Sequence, residues 1–372
     1  MPRFIRSGLY KSTTEEGERH ATWLEIFFDL IFAVIVIQLS DKMLNQLTIV
    51  GILQCAALFI PAMWAWASYT VFAARFDNND SLDWLITFVI MFAGVIMAIQ
   101  IPSTLENKGT WFSVGFLISQ IALLLLYAKT LYDKSTPKKI SLFYLIGFGS
   151  GGLFWIISLF FEPPIKFYFW IIGMGIYLIT PWLGRKRILS KAPLHTTYIP
   201  ERFGSFTIII LGQIIASVVF GLELAYWSLT AFFIGVMAFI LAVLIWGLYY
   251  RFVQLANYKC SLGSGQPYIY LHIPLIIGMI LIGVCIQDFI MKSALVYQDV
   301  HIIFCFAIIL YLTSFYFLQY ITPDNFKFLH LSYISSIIAV LFLFFFYPPI
   351  AIISGTVVIF MMLFSIQYYL GR

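Results

Sequence analysis

The sequence is poor in charge. Lys and Arg number 22 and Asp and Glu 17, together 10% of 372 residues. A soluble domain carries about 25%, so this chain could not cover a water-facing surface. Cysteine is scarce too. Cys55, Cys260, Cys285 and Cys305 show no CxxC or paired spacing, which excludes a disulfide framework or a zinc site. His20, His195, His301 and His330 are scattered without metal-ligand spacing. GxSxG, HExxH, a P-loop and a strand-to-helix GxGxxG are all missing. The expectation is a protein that is not an enzyme and holds no metal and no cofactor. The net charge of +5 does not point to nucleic acid, because the basic residues are spread through short loops. No small-residue cleavage site follows the first apolar run, so that run is expected to stay as the first helix.

What the chain has instead is apolar length. Hydrophobic residues make up 62%, and the mean hydropathy is +0.94. The 38 Phe within a 19% aromatic share suit lipid-facing and helix-packing surfaces. Twelve apolar segments lie between polar, Pro or Gly-rich breaks, at 22–40, 47–74, 82–101, 111–132, 141–161, 166–184, 203–222, 226–250, 268–289, 299–320, 327–346 and 349–370. Each approaches the roughly 20 residues that cross a bilayer. The fold class expected is all-α: a polytopic integral membrane protein of about twelve transmembrane helices, surrounded by membrane lipids. Pro348-Pro349 either divides the last two segments or kinks one helix.

Alternate loops carry unequal positive charge. With the N-terminus inside, the cytoplasmic segments hold 18 Lys and Arg and the outer ones 4. Such bias sets orientation. It predicts a plasma-membrane protein with both termini cytoplasmic. The most basic loop, Gly184 to Arg202, sits halfway. It divides the chain into a six-helix half at 1–184, a cytoplasmic linker at 185–202 and a second six-helix half at 203–372. "FFDLIFAVIV" (Phe27 to Val36) can be laid over "LGQIIASVVF" (Leu211 to Phe220), which sets Asp29 on Gln213 and Gly94 on Gly278. Six helices per half would make the repeats parallel.

"RHATWLEIFFDLIFAVIVIQLS" (Arg19 to Ser40) places Glu25 and Asp29 one turn apart on a single helix face. Thr22-x-x-Glu25 fits a capping box. A substrate or ion site is the other reading. Asp29 lies about 10 Å deeper at 1.5 Å per residue. An intramembrane carboxylate costs about 3 kcal/mol on insertion scales, so it turns to the protein interior. There it either handles an ion, proton or substrate or makes a structural hydrogen bond.

"PERFGSFTIIILGQIIAS" (Pro200 to Ser217) suits a helix start. Arg202 is either a partner for Glu25 or an ordinary positive-inside arginine. Gln213, beside Gly212, is either a polar group at midmembrane depth or part of small-residue packing. His272 in "YIYLHIPLIIG" either shuttles protons or pairs with Asp29, or is a satisfied interface histidine. "RFDNNDSLDW" (Arg75 to Trp84) reads as turns and caps, with a cation site as the alternative.

These stretches resemble the bacterial low temperature requirement A family. "RHATWLEIFFDLIFAVIVIQLS" is similar to its first-helix signature and "ERFGSFTIIILGQ" to its second, at the head of the central helix. "RFDNND" and "YLHIPLIIG" follow family patterns in order. The last three segments match in character alone. The family's central motif usually ends in Glu where this chain has Gln213. The resemblance implies a plasma-membrane protein associated with growth in the cold and supplies no substrate. "FFDLIFAVIV" also resembles the first helix of a potassium-channel family that occurs as six-helix repeats. The function expected is a secondary transporter or ion-coupled permease for a small ion or solute, with Glu25, Asp29, Arg202, Gln213 and His272 as candidate binding residues. The alternatives are a cation channel and a non-transporting, lipid-interacting factor.

Overall fold

The computed structural model describes residues 20–76, 80–106, 108–132, 138–192, 194, 197–255, 265–291, 298–321, 327–345 and 348–370. They form twelve α-helices, and no β-strand occurs among the described residues. The helices are α1 (Trp23–Asn45), α2 (Ile49–Arg75), α3 (Ser81–Gln100), α4 (Thr110–Thr130), α5 (Lys138–Ser158), α6 (Ile165–Gly184), α7 (Tyr198–Leu224), α8 (Leu229–Leu255), α9 (Gln266–Met291), α10 (Gln298–Tyr320), α11 (Lys327–Leu343) and α12 (Pro349–Leu370). Eleven are long and apolar enough to cross a membrane; α11 is shorter. With no water in a bilayer core, each spanning backbone must satisfy its own polar groups, which a helix does. The chain is a multi-pass membrane protein.

Of two boundary details, the first bears out the division of the last two segments and the second is a correction. The proline pair does not kink a helix: α11 ends at Leu343 and α12 starts at Pro349, the first helical position where proline's missing N–H is harmless. Helix α7 begins at Tyr198, earlier than the expected residue 203. Pro200 lies in its first turn, where no N–H is needed. The earlier start puts Tyr198 and Arg202 one turn apart on one face.

The chain forms two compact units. Among the described residues, the first holds those within 20–38, 58–202 and 265–266, and the second those within 39–57, 203–255 and 267–370. In the first unit α3 packs on α4, α4 on α5, and α5 on α6. The α5–α6 contact is close because it is lined with glycine. A Cβ on Gly173 would meet Trp155 Cδ1 at 2.5 Å and the Gly151 carbonyl oxygen at 2.9 Å, whereas one on Gly149 would meet nothing within 4 Å. Gly173→Ala should therefore cost about 1–3 kcal/mol of overpacking. Gly149→Ala should be neutral or stabilising, because alanine is the better helix former. Thermal unfolding of the detergent-solubilised variants checks the pair, and equal melting temperatures would refute the contact.

In the second unit α8 packs on α12, α10 on α11 and α11 on α12. Helix α9 is its most deeply buried span, as an all-round apolar sequence requires. Of the cysteines, Cys55, Cys285 and Cys305 are free and buried; Cys260 lies outside the described residues.

Candidate functional site

The first unit encloses a charged cluster at the start of α1. Thr22 and Glu25 form the expected capping box: the Thr22 N–H donates to Glu25 Oε2 at 2.8 Å, and the Glu25 N–H donates to Thr22 Oγ1 at 3.3 Å. These bonds satisfy N–H groups that a helix start leaves without partners. Glu25 does more than cap. Its Oε1 accepts from the Tyr198 hydroxyl at 2.5 Å, and Arg202 Nη1 stands 3.6 Å from its Oε2.

One turn deeper, Asp29 is fully buried. Its Oδ1 accepts from Arg202 Nη2 and from Trp66 Nε1, each at 2.6 Å. Its Oδ2 has no hydrogen-bond partner among the described residues, and neither has Arg202 Nε. Arg202 thus sits between both carboxylates, closer to Asp29 than to Glu25. Phe28 and Phe32 are buried on the same helix. Phe28 packs on Tyr69 of α2 with ring centroids 4.5 Å apart, and Tyr69 hydrogen-bonds Thr87 of α3 at 2.8 Å. Such apolar walls exclude water and strengthen charge interactions inside them. Among the described residues, Arg202 is the cation that both carboxylates share. An ion pair this deeply buried needs its hydrogen bonds, because attraction repays desolvation only when geometry is good.

Sequence reasoning had placed Glu25, Asp29 and Arg202 as candidates, and the fold brings these three together. It had missed Tyr198 and Trp66. The signal for Tyr198 was its spacing of four from Arg202, hidden by the late start assigned to the helix. The signal for Trp66 was a donor-only indole in a membrane-depth helix, which needs an acceptor when buried.

Gln213 and His272 belong to the second unit. Gln213 Nε2 donates to Ser217 Oγ at 2.9 Å. Its carboxamide lies over Gly283 of α9, where a Cβ would meet Oε1 at 2.6 Å. Gly278, the residue paired with Gly94 by the repeat alignment, instead backs onto α10 at Ala307 and Tyr311. The two ring nitrogens of His272 are engaged inside this unit: Nε2 with the Tyr249 hydroxyl at 2.8 Å and Nδ1 with the Tyr268 carbonyl at 2.7 Å.

The acidic stretch after α2 resolves into caps and an ion pair, with 77–79 outside the described residues. Asp80 caps α3 by accepting from the Asp83 N–H at 2.9 Å. Lys129 of α4 reaches Asp80 at 2.5 Å and Asp83 at 2.7 Å. The cation these carboxylates hold is therefore a lysine of the chain itself.

The family model described as the bacterial low temperature requirement A protein matches residues 20–365. The match runs through α10, α11 and most of α12, beyond the region where the sequence motifs give out. The chain is also similar to an uncharacterized protein of Rhizobium meliloti (strain 1021), 27% identical over 303 residues, which cover 74% of this chain and 70% of the relative. No solved structure matches the chain significantly. With nearly all of its helices inside the family match, this chain belongs to the bacterial low temperature requirement A family.

Proposed function

We propose that the protein is a secondary transporter, an ion-coupled permease for a small solute rather than an enzyme, that supports growth in the cold. It resides in the plasma membrane with both termini in the cytoplasm. The observation that carries this reading is the fully buried Asp29 carboxylate, bonded to Arg202 through Oδ1 while its Oδ2 has no hydrogen-bond partner among the described residues. A buried carboxylate with one open oxygen can take up a proton or a metal cation there and release it again. Intramembrane acids with this property mark ion and proton pathways. Asp29 is the coupling residue, Arg202 its internal counter-charge, and Glu25 and Tyr198 hold Arg202 in place. Gln213 and His272 serve the second half as neutral hydrogen-bonding groups. The halves are read as parallel repeats. Support comes from Gly94 of α3 lying beside Ile31 and Phe32 of α1, and Gly283 of α9 beside Gln213 of α7.

The test is purified protein in liposomes under imposed proton, sodium or potassium gradients, with a metabolite mixture outside. Saturable solute uptake that needs one gradient is the expected result. Passive current in planar bilayers without saturation would replace it with the channel reading. Neither flux nor current would leave a non-transporting membrane factor.

A further inference from the structure

Basic side chains from two distant stretches of sequence meet at one end of the α5–α6 pair. Glycines set the antiparallel register of these helices. Gly147 of α5 backs onto Thr180 of α6, and Gly184 of α6 onto Phe143 of α5, where a Cβ would meet the ring at 2.5 Å. One turn nearer the start of α5, the same register sets Lys139, with Lys138 beside it, against the segment after Gly184. That segment opens with Arg185, Lys186 and Arg187. It folds back on the first unit. Leu189, Ala192 and Leu194 are buried. Arg75 of α2 pins it, donating through Nε to the Ala192 carbonyl at 3.2 Å and through Nη1 to the Tyr144 hydroxyl of α5 at 2.9 Å. That fastening keeps Lys191 at the same helix end.

Lys138, Lys139, Lys186, Arg187 and Lys191 are exposed. Among the described residues, neither they nor Arg185 form an ion pair with a carboxylate. The Arg185 guanidinium lies 3.5 Å over the Trp182 ring, and its Nη1 is a buried donor with no hydrogen-bond partner among the described residues. The first turn of α5 holds no acid, so its lysines stand at the positive end of the helix dipole, where an anion is favoured. An anion that fits here has a tail. α5 starts and α6 ends at one membrane surface, so the cations lie at headgroup depth. Beneath them Leu142 and Ile146 of α5 and Leu183 of α6 are exposed, and a tryptophan such as Trp182 suits that interface. Basic clusters just outside transmembrane helices attract anionic headgroups. The cations come in two groups, one per helix, which a ligand with two phosphates joins. We propose that this end of the α5–α6 pair binds the headgroup of a phospholipid carrying two phosphates, with cardiolipin as the type. Arg185, held flat by Trp182, takes one phosphate with paired N–H groups, and the α5 lysines take the other. The acyl chains run along Leu142, Ile146 and Leu183. Ion coupling has no part in this, so the site stands or falls separately from the role of Asp29.

The experiment titrates the purified full chain, stripped of lipid in detergent, with cardiolipin, phosphatidylglycerol, phosphatidylcholine and inorganic phosphate. Native mass spectrometry counts bound lipid, and the melting temperature is followed in parallel. Cardiolipin should bind saturably, at about tenfold lower concentration than phosphatidylglycerol, because it meets both groups of cations. Phosphatidylcholine and inorganic phosphate should leave the melting temperature unchanged. Two double variants, Lys138→Gln with Lys139→Gln and Lys186→Gln with Arg187→Gln, alter exposed side chains alone, so the lipid-free proteins should melt like the parent. Each should weaken cardiolipin about tenfold or more, the effect of two lost cations at a membrane surface. Lys108→Gln, at the opposite end of the pair beside Glu162, should bind cardiolipin like the parent. Equal affinity for cardiolipin and either other lipid would overturn the proposal, as would a melting shift that phosphate alone reproduces. So would parent-like binding in either double variant, or an equal loss in Lys108→Gln.

Discussion

Arg202→Leu will empty the membrane of this protein. The guanidinium is fully buried and lies beside two buried carboxylates, at 2.6 Å from Asp29 and 3.6 Å from Glu25. Removing it leaves the fully buried Asp29 carboxylate without its ion-pair partner in a water-poor interior. Breaking a buried pair from one side costs about 3–5 kcal/mol, against a total stability of roughly 5–15 kcal/mol for a native protein. Membrane abundance should collapse, and any protein recovered should melt many degrees lower. The cause is electrostatic and so can be repaired. Combining Arg202→Leu with Asp29→Asn and Glu25→Gln removes all three charges and should restore most of the abundance, without restoring activity. Abundance and melting temperature measured by size-exclusion fluorescence check both arms. A single Arg202→Leu variant that accumulates and melts like the parent would show that the cluster does not hold the fold together.

Asp29→Asn should have the opposite profile: protein present, function gone. Asparagine keeps the shape of the side chain and an oxygen that can still accept from Trp66 and Arg202. It cannot gain or lose a charge. Growth in the cold should fall to that of a strain lacking the protein, at parental membrane abundance. Glu25→Gln is the paired control. Glutamine can still close the capping box with Thr22, so its main effect should be a stability loss of about 1 kcal/mol from weaker bonds to Tyr198 and Arg202. If Asp29→Asn grows like the parent at equal abundance, the carboxylate is structural and the coupling role given to it is wrong.

Much of this site was legible from the sequence because local rules apply to it. The four-residue spacing put Glu25 and Asp29 on one face, and the cost of a carboxylate in lipid turned that face inward. Thr22-x-x-Glu25 announced its own cap. The helices were legible from apolar length alone. The pairing of Arg202 with Asp29 more closely than with Glu25 was not. It depends on where α7 begins and how its first turn meets α1, and contacts between helices leave no periodic trace in a sequence. The same applies to Trp66, which looked like one of several aromatics in "WAWASY" until the fold gave it an acceptor. Gln213 was legible as polar at depth, but the glycine that makes room for it, Gly283, is five residues from the one that the repeat alignment singled out.

The separation of Asp29 from Arg202, 173 residues along the chain, sets an order of events during synthesis. A ribosome working at about 5–20 residues per second needs roughly 9–35 s to travel from one to the other. For that interval Asp29 lacks the guanidinium it is bonded to in the fold. Trp66 follows Asp29 by only 37 residues, about 2–7 s at the same rate. The α1–α2 hairpin can therefore give Asp29 its first donor long before its counter-charge exists. The hairpin bond to Trp66 is thus the contact that holds Asp29 until α7 is made and the ion pair can close. That wait lengthens at low temperature, where synthesis slows.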